Sequence, residues 1–184
     1  KEAKRLNLIT KRVHMNRCNG REVKQLTLDR DFNVPDARPD ALQIMKEQGE
    51  VQIEEVHMME GKASVKGLLH FQILYASDGD IPVSEMTGTI PFEETIPLPQ
   101  AKAEDEISVQ AEIGDLKSEL INSRKLGMKA IVVLNVTAGS VCDGEGAIDI
   151  EGGEDIYTKK RTAEVSYLVF SKKDTLRVRD EWKI

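Results

Sequence analysis

A chain of 184 residues with 40% hydrophobic and 32% charged side chains has the composition of a globular domain and excludes an intrinsically disordered one. Its formal net charge of -6 argues against a general nucleic-acid binder, which needs a basic footprint to release counterions. Two cysteines, Cys18 and Cys142, stand far apart and outside any C-x-x-C spacing, so they supply neither a disulfide framework nor a thiolate zinc site.

Aromatic residues make up 4% of the chain, so the core must be built mainly from Val, Ile, Leu and Met. No run approaches the ~18 consecutive apolar residues that a membrane-spanning helix needs. No secretory leader is recognisable, and a reduced cytosolic setting is expected. The leading segment is locally basic (Lys1, Lys4, Arg5, Lys11, Arg12, Arg17, Arg21). It reads as a solvated segment, with a phosphate- or lipid-binding arm as the sharper alternative.

The first predicted strand spans Val23 to Phe32, where Leu26 and Leu28 alternate with polar neighbours. A short helix is expected next. Pro39 and Asp40 suit a helix start, Leu42, Ile44 and Met45 its apolar face, and Gly49 its left-handed exit. Val51 to Met59 resumes a strand, Gly61 marks a turn, and Val65, Gly67, Leu69, Phe71, Ile73 and Tyr75 fall on one face of the next strand. Residues 51–75 therefore read as a hairpin. Asp78-Gly79-Asp80 is a second turn, followed by a strand over Thr87 to Phe92 and a Pro97, Pro99 connection.

Ile107, Val109, Ala111 and Ile113 alternate strictly, and Leu116 and Leu120 carry the apolar spacing to a turn at Asn122-Ser123. The longest alternating face is Leu126, Met128, Ala130, Val132, Leu134, Val136 and Ala138. Cys142 to Gly146 reads as an acidic, glycine-bearing loop, and further strands are expected over 147–156, 162–170 and 176–184. Short strands separated by turn signals predict an all-β domain (mostly β with one short helix), an antiparallel β-sandwich or open barrel.

The chemistry-bearing residues form no catalytic pattern. His14, His57 and His70 lie in no H-x-x-x-H spacing, and His70 shares a half-apolar face with Leu68 and Leu74, the setting of a structural histidine. The acids Asp143, Glu145, Asp149, Glu151, Glu154 and Asp155 lack the alternate-position spacing of a calcium loop, which favours a solvated linker. Arg124 and Lys125, at a turn before a long buried strand, read as a structural pair with a nearby carboxylate or as an exposed contact site. No cofactor or metal is implied.

The end of the chain echoes an early segment. Aligning 24–34 with 174–184 places Leu26 on Leu176, Leu28 on Val178, Phe32 on Trp182 and Val34 on Ile184. This suggests a domain over 1–150, with 151–184 as a linker and the opening strands of a second repeat, or as strands completing the first sheet.

The ordered set of Pro35-Asp36, Pro39-Asp40, Gly49, Gly61-Lys-Ala-Ser-Val65-Lys-Gly67, Ile73-Leu-Tyr75, Ile90-Pro-Phe92 and Asn122-Ser-Arg124 resembles the SPOCS domain of SipL-like sporulation proteins of Firmicutes. The resemblance covers residues about 5 to 140. It implies a non-catalytic spore-coat morphogenesis module, with Pro35, Asp36, Pro39, Asp40, Gly49, Gly67, Tyr75, Asn122 and Arg124 as structural motif residues. It also implies a coat ATPase as partner of the full-length protein, reached in that family mainly through a LysM segment that these 184 residues lack. Location would be the mother-cell side of the forespore surface. Self-association through edge strands is a further expectation; nucleic acid and a membrane span are not. The alternative is a carbohydrate- or peptidoglycan-fragment-binding sandwich, weakened by the lack of an evident aromatic cluster.

Overall fold

Period-two alternation is realised as six strands: β1 (Asn7–Asn33), β2 (Asp40–Met59), β3 (Lys62–Asp78), β4 (Val83–Pro97), β5 (Glu106–Asn122) and β6 (Lys125–Glu151). The computed structural model describes residues 7–78, 80–152, 157–164, 166, 167 and 169. The strands form two three-stranded sheets, ordered β1-β6-β5 and β2-β3-β4, which do not close into a barrel. The β2–β3, β3–β4 and β5–β6 ladders are antiparallel. The chain divides into two compact units, Cys18–Ser140 and a second formed by Lys1–Arg17 with Val141–Ile184.

In the Cys18–Ser140 unit, the two middle strands supply the core. All seven residues of the Leu126-to-Ala138 face are buried, as are Ala63, Val65, Leu69, Phe71, Ile73 and Tyr75 on β3. One cluster joins Val65, Phe92 and Ile96 to Val132, Leu134 and Val136; another joins Leu69, Ile73 and Tyr75 to Leu126, Met128 and Ala130. Each such aliphatic side chain contributes roughly 1.5–3 kcal/mol on burial. This packing of one sheet's inner face on the other's is what makes the unit a sandwich.

The expected helix is absent. Residues 40–59 are one strand, paired with β3 from Asp40 opposite Asp78 to Met59 opposite Lys62. The cause is three breaks in register, between Ala41 and Gln43, Ile44 and Lys46, and Ile53 and Glu55. A bulge inserts one residue. The residues opposite the buried row of β3 are therefore Ala41, Ile44, Glu47, Gly49, Val51, Ile53, Val56 and Met58. The first spacings in that series are three, which imitates a helical turn in a sequence read without its partner strand.

Gly49 does not end a helix. The glycines with positive φ among the described residues are Gly61, in the β2–β3 turn, and Gly152. A Cβ on Gly49 would sit 3.0 Å from both the Ile113 and Leu116 side chains, so this glycine admits β5 close to β2. Gly67 faces Phe92, and Phe71 faces Gly88, on the same β3–β4 ladder. Each ring covers the glycine opposite: an added Cβ would lie 2.5 Å from the Phe92 ring at Gly67 and 2.4 Å from the Phe71 ring at Gly88. A slip in register would drive these rings into side chains, so the two pairs pin the ladder. The Phe71 ring also meets Phe32 edge-on, with centroids 4.6 Å apart.

In the second unit, residues 142–146 are strand and not the expected acidic loop. Gly144 and Gly146 carry no positive φ. An added Cβ on Gly144 would lie 2.8 Å from the Met15 methyl, so this glycine marks a close approach and no turn. Asp143 pairs with Arg12 at 3.3 Å and with His14, and Thr10 donates to Glu145 at 3.5 Å, so acids on β6 pair with basic and hydroxyl side chains on β1. Residues 157–164 have no regular structure, and Lys160 pairs with Asp149 at 2.8 Å. The 174–184 half of the internal echo lies outside the described residues.

The two glycine–aromatic pairs differ in a testable way. Gly67 also faces the Gln52 carbonyl, 2.6 Å from the site of an added Cβ. Gly88→Ala and Gly67→Ala should each cost about 1–3 kcal/mol in urea unfolding. Phe71→Leu should relieve much of the Gly88→Ala penalty in a double-mutant cycle, whereas Phe92→Leu should leave most of the Gly67→Ala penalty in place. Equal rescue in the two cycles would contradict the backbone contact.

Candidate functional site

Two sheets without a shared ladder need their crossings fixed. The chain first crosses at residues 34–39, between β1 and β2, and this segment folds around one guanidinium. Arg124, in the β5–β6 turn, donates through Nη1 to the Arg38 carbonyl at 2.7 Å and to Asp40 Oδ1 at 3.1 Å. Its Nη2 donates to the carbonyls of Val34 and Pro35, both at 3.0 Å, and to Asp36 Oδ1 at 3.5 Å. A planar, forked, permanently charged donor suits several acceptors converging from one loop.

The turn holding Arg124 is itself fixed. The Arg124 N–H donates to Asn122 Oδ1 at 2.9 Å, and the Ser123 hydroxyl to Asp40 Oδ2 at 2.8 Å. Backbone bonds from Val34 N–H to the Arg124 carbonyl and from Ala41 N–H to the Ser123 carbonyl, each 2.8 Å, lock the crossing to the turn. Fully buried Tyr75 donates its hydroxyl to the Pro39 carbonyl at 3.2 Å. Seven of the nine motif residues thus meet in one clasp: Pro35, Asp36, Pro39, Asp40, Tyr75, Asn122 and Arg124. Gly49 and Gly67 lie within β2 and β3 and serve close packing instead. Asp40 initiates no helix; its carboxylate binds Arg124 and Ser123.

The opposite crossing is tied by different means. Between β4 and β5, the Leu98 N–H donates to the Gly61 carbonyl at 2.8 Å, and the Gly61 N–H to the Ala101 carbonyl at 2.9 Å. Buried Asp105 accepts from the Lys102 N–H at 2.9 Å and from Asn19 Nδ2 at 3.0 Å, and Asn19 also reaches Ser140 Oγ at 3.0 Å. The Lys102 N–H, with help from Asn19 and Ser140, holds the Asp105 carboxyl below the usual aspartate range against the opposing effect of burial. Sequence reading missed Asn19 and Asp105; an Asp three residues after Lys102 was the available turn signal.

The solvent face of β2-β3-β4 carries charged and polar side chains arranged in cross-strand rows. Lys66 lies between Glu55 at 3.7 Å and Glu93 at 3.5 Å, and His57 binds Glu55 at 2.7 Å. The His57 hydrogen bond, then its charge, and more weakly Lys66, keep the Glu55 carboxyl below its ordinary value. Beside this row lies an open groove of about 410 Å³, walled by Gln48, Glu50, His70, Gln72, Thr87 and Thr89. The His70 Nε2 is buried there without a hydrogen-bond partner. Both cysteines are free thiols. Among the described residues, no three His, Cys, Asp or Glu side chains gather to hold a metal, and no helix could cross a membrane.

Residues 40–121 match the family model described as SipL, SPOCS domain. The match begins at Asp40 of the clasp and runs from β2 to the penultimate residue of β5. No curated protein and no solved structure matches the chain.

Arg124→Ala should destabilise the protein by about 2 kcal/mol, since charge-assisted bonds to several carbonyls are lost together. Arg124→Lys should restore little, because one ammonium cannot span the fork; full recovery in thermal melts would rule out the geometric role. Asp105 gives a pH signature. Its folded-state pKa is depressed, so its stabilisation is present above the ordinary aspartate pKa and is lost as pH falls through the folded value. Asp105→Asn should therefore flatten the acid limb of Tm against pH below about pH 4. An unchanged acid limb would remove Asp105 from the account.

Proposed function

We propose, on the premise that residues 40–121 belong to the SPOCS domain family, that this chain is a non-catalytic structural and protein-interaction module. It would act as a scaffold repeat in a spore coat or spore envelope assembly protein, on the mother-cell side of the forespore surface. The family match over β2 to β5 is the observation that carries the reading. The clasp agrees with it. The motif residues converge on carbonyl oxygens and a neighbouring turn, and so fix the two sheets, which is what a rigid spacer requires. Residues 151–184 are read as a linker and the opening strands of a second repeat.

The partner of the full-length protein would be a coat ATPase. Capture from sporulating-cell extract with the full-length protein should recover that ATPase. Recovery should fall when the SPOCS portion is destabilised by Arg124→Ala, if the module orients the binding region. Undiminished recovery with the variant would confine the scaffold role to other parts of the protein.

The outer groove supports a second reading. Its walls present two glutamines, two threonines and Glu50. Such donors and acceptors suit a hydroxyl-rich ligand such as a peptidoglycan fragment. A glycan array probed with this chain should then give hits that Gln72→Ala abolishes. An array without hits would dismiss the groove as a sugar site.

A further inference from the structure

The free edges of the β2-β3-β4 sheet are unlike each other. β2 is broken by three bulges, a known device against edge-to-edge pairing. β4 pairs with β3 over fifteen consecutive positions, Val83 to Pro97, without a shift. Its backbone orientation follows from the two ends of the ladder. The Ser77 N–H bonds to the Pro82 carbonyl at 3.1 Å, and the Leu98 N–H to the Gly61 carbonyl at 2.8 Å. Even-numbered positions of β4 therefore face β3, and odd-numbered positions turn their N–H and C=O outward. Pro91 and Pro97 fall on the outward set, where a missing N–H removes no ladder bond.

Outward N–H and C=O groups at Val83, Glu85, Thr87 and Thr89 form an unbroken template, ended by Pro91. Beyond it, Lys24 of β1 reaches Glu94 at 3.3 Å, so the second half of β4 is flanked by the other sheet. The side chains of the outward positions lie on the solvent face of the sheet; Thr87 and Thr89 are exposed, and Val83 is 43% exposed.

We infer that the Val83–Pro91 edge pairs antiparallel with the same edge of a second copy, about a two-fold axis at Thr87. Among centres on an outward-facing residue, side-chain chemistry selects this one. It sets Thr87 against Thr87, Glu85 against Thr89, and Val83 against Pro91. The Glu85 carboxylate then accepts from the Thr89 hydroxyl opposite, and the exposed Val83 is covered by a proline ring. Centring on Glu85 would oppose two carboxylates, and centring on Thr89 would set Glu85 against Glu93. The product is a continuous six-stranded sheet with an isologous interface. The inference deepens the scaffold reading by naming a homotypic contact, and it rests on that reading only for its biological use.

The test is sedimentation velocity on the full chain. The wild type should sediment with twice the mass of one chain in the micromolar range. Thr87→Pro removes an outward N–H and no internal ladder bond, and Thr87→Lys places two ammonium groups against each other at the axis. Both should weaken association about tenfold or more with unchanged far-UV circular dichroism. If the proline variant does not fold, the lysine variant decides. A monomeric wild type, or a dimer indifferent to Thr87→Lys, overturns the inference. Neither result touches the ATPase-capture experiment, so failure here and failure of the scaffold reading are distinguishable.

Discussion

The guanidinium of Arg124 solves the central difficulty of this architecture. The two sheets share no ladder, so packing, the chain's crossings and a few side-chain contacts such as Lys24–Glu94 hold them in relation. Packing is non-directional and tolerates sliding. A crossing fixed by directional bonds does not. Arg124 gathers the carbonyls of Val34, Pro35 and Arg38, and the Asp40 carboxylate, against a turn of the β1-β6-β5 sheet. At the far end, Gly61 in the β2–β3 turn binds Leu98 and Ala101 of the second crossing. Each crossing is thus held by a hairpin turn from one of the sheets it joins, and the core between them is compressed into a single register.

That register is reinforced inside the core. Gly67 under Phe92 and Phe71 over Gly88 form a reciprocal lock on one ladder, four residues apart on each strand. The register of β4 on β3 is unbroken, whereas β2 and β5 carry register breaks. The sheet thus has one regular, threonine-bearing edge and one bulged edge.

Much of the fold was legible in the residues. The Leu126-to-Ala138 and Val65-to-Tyr75 faces announced two central strands because each keeps a long period-two apolar row, and both lie in the core. The hairpin at Gly61 followed from a glycine that does take positive φ. The misreadings share a cause. Ala41 and Ile44 are three apart because a bulge intervenes, and the same spacing in a lone sequence describes a helix. Gly144 reads as a turn in a row of acids until the Met15 methyl shows what occupies its face. In both cases the deciding atoms belong to a distant strand. Of the clasp, sequence supplied the residue types and their order; it could not supply the meeting of Ser123 and Arg124 with Pro35 and Asp40 across more than eighty residues.

By itself, then, the sequence determined the all-β class, the faces that form the core and the match of residues 40–121 to the SPOCS family model. These depend on local alternation and on motif order, both properties of the chain taken one residue after another. Only the tertiary structure decided that residues 40–49 are strand, that the motif residues form a clasp, and which edge of the sheet is left regular. Those outcomes depend on what packs against each segment from elsewhere, and a bulge or a glycine has no fixed meaning until its neighbour across the ladder is in place.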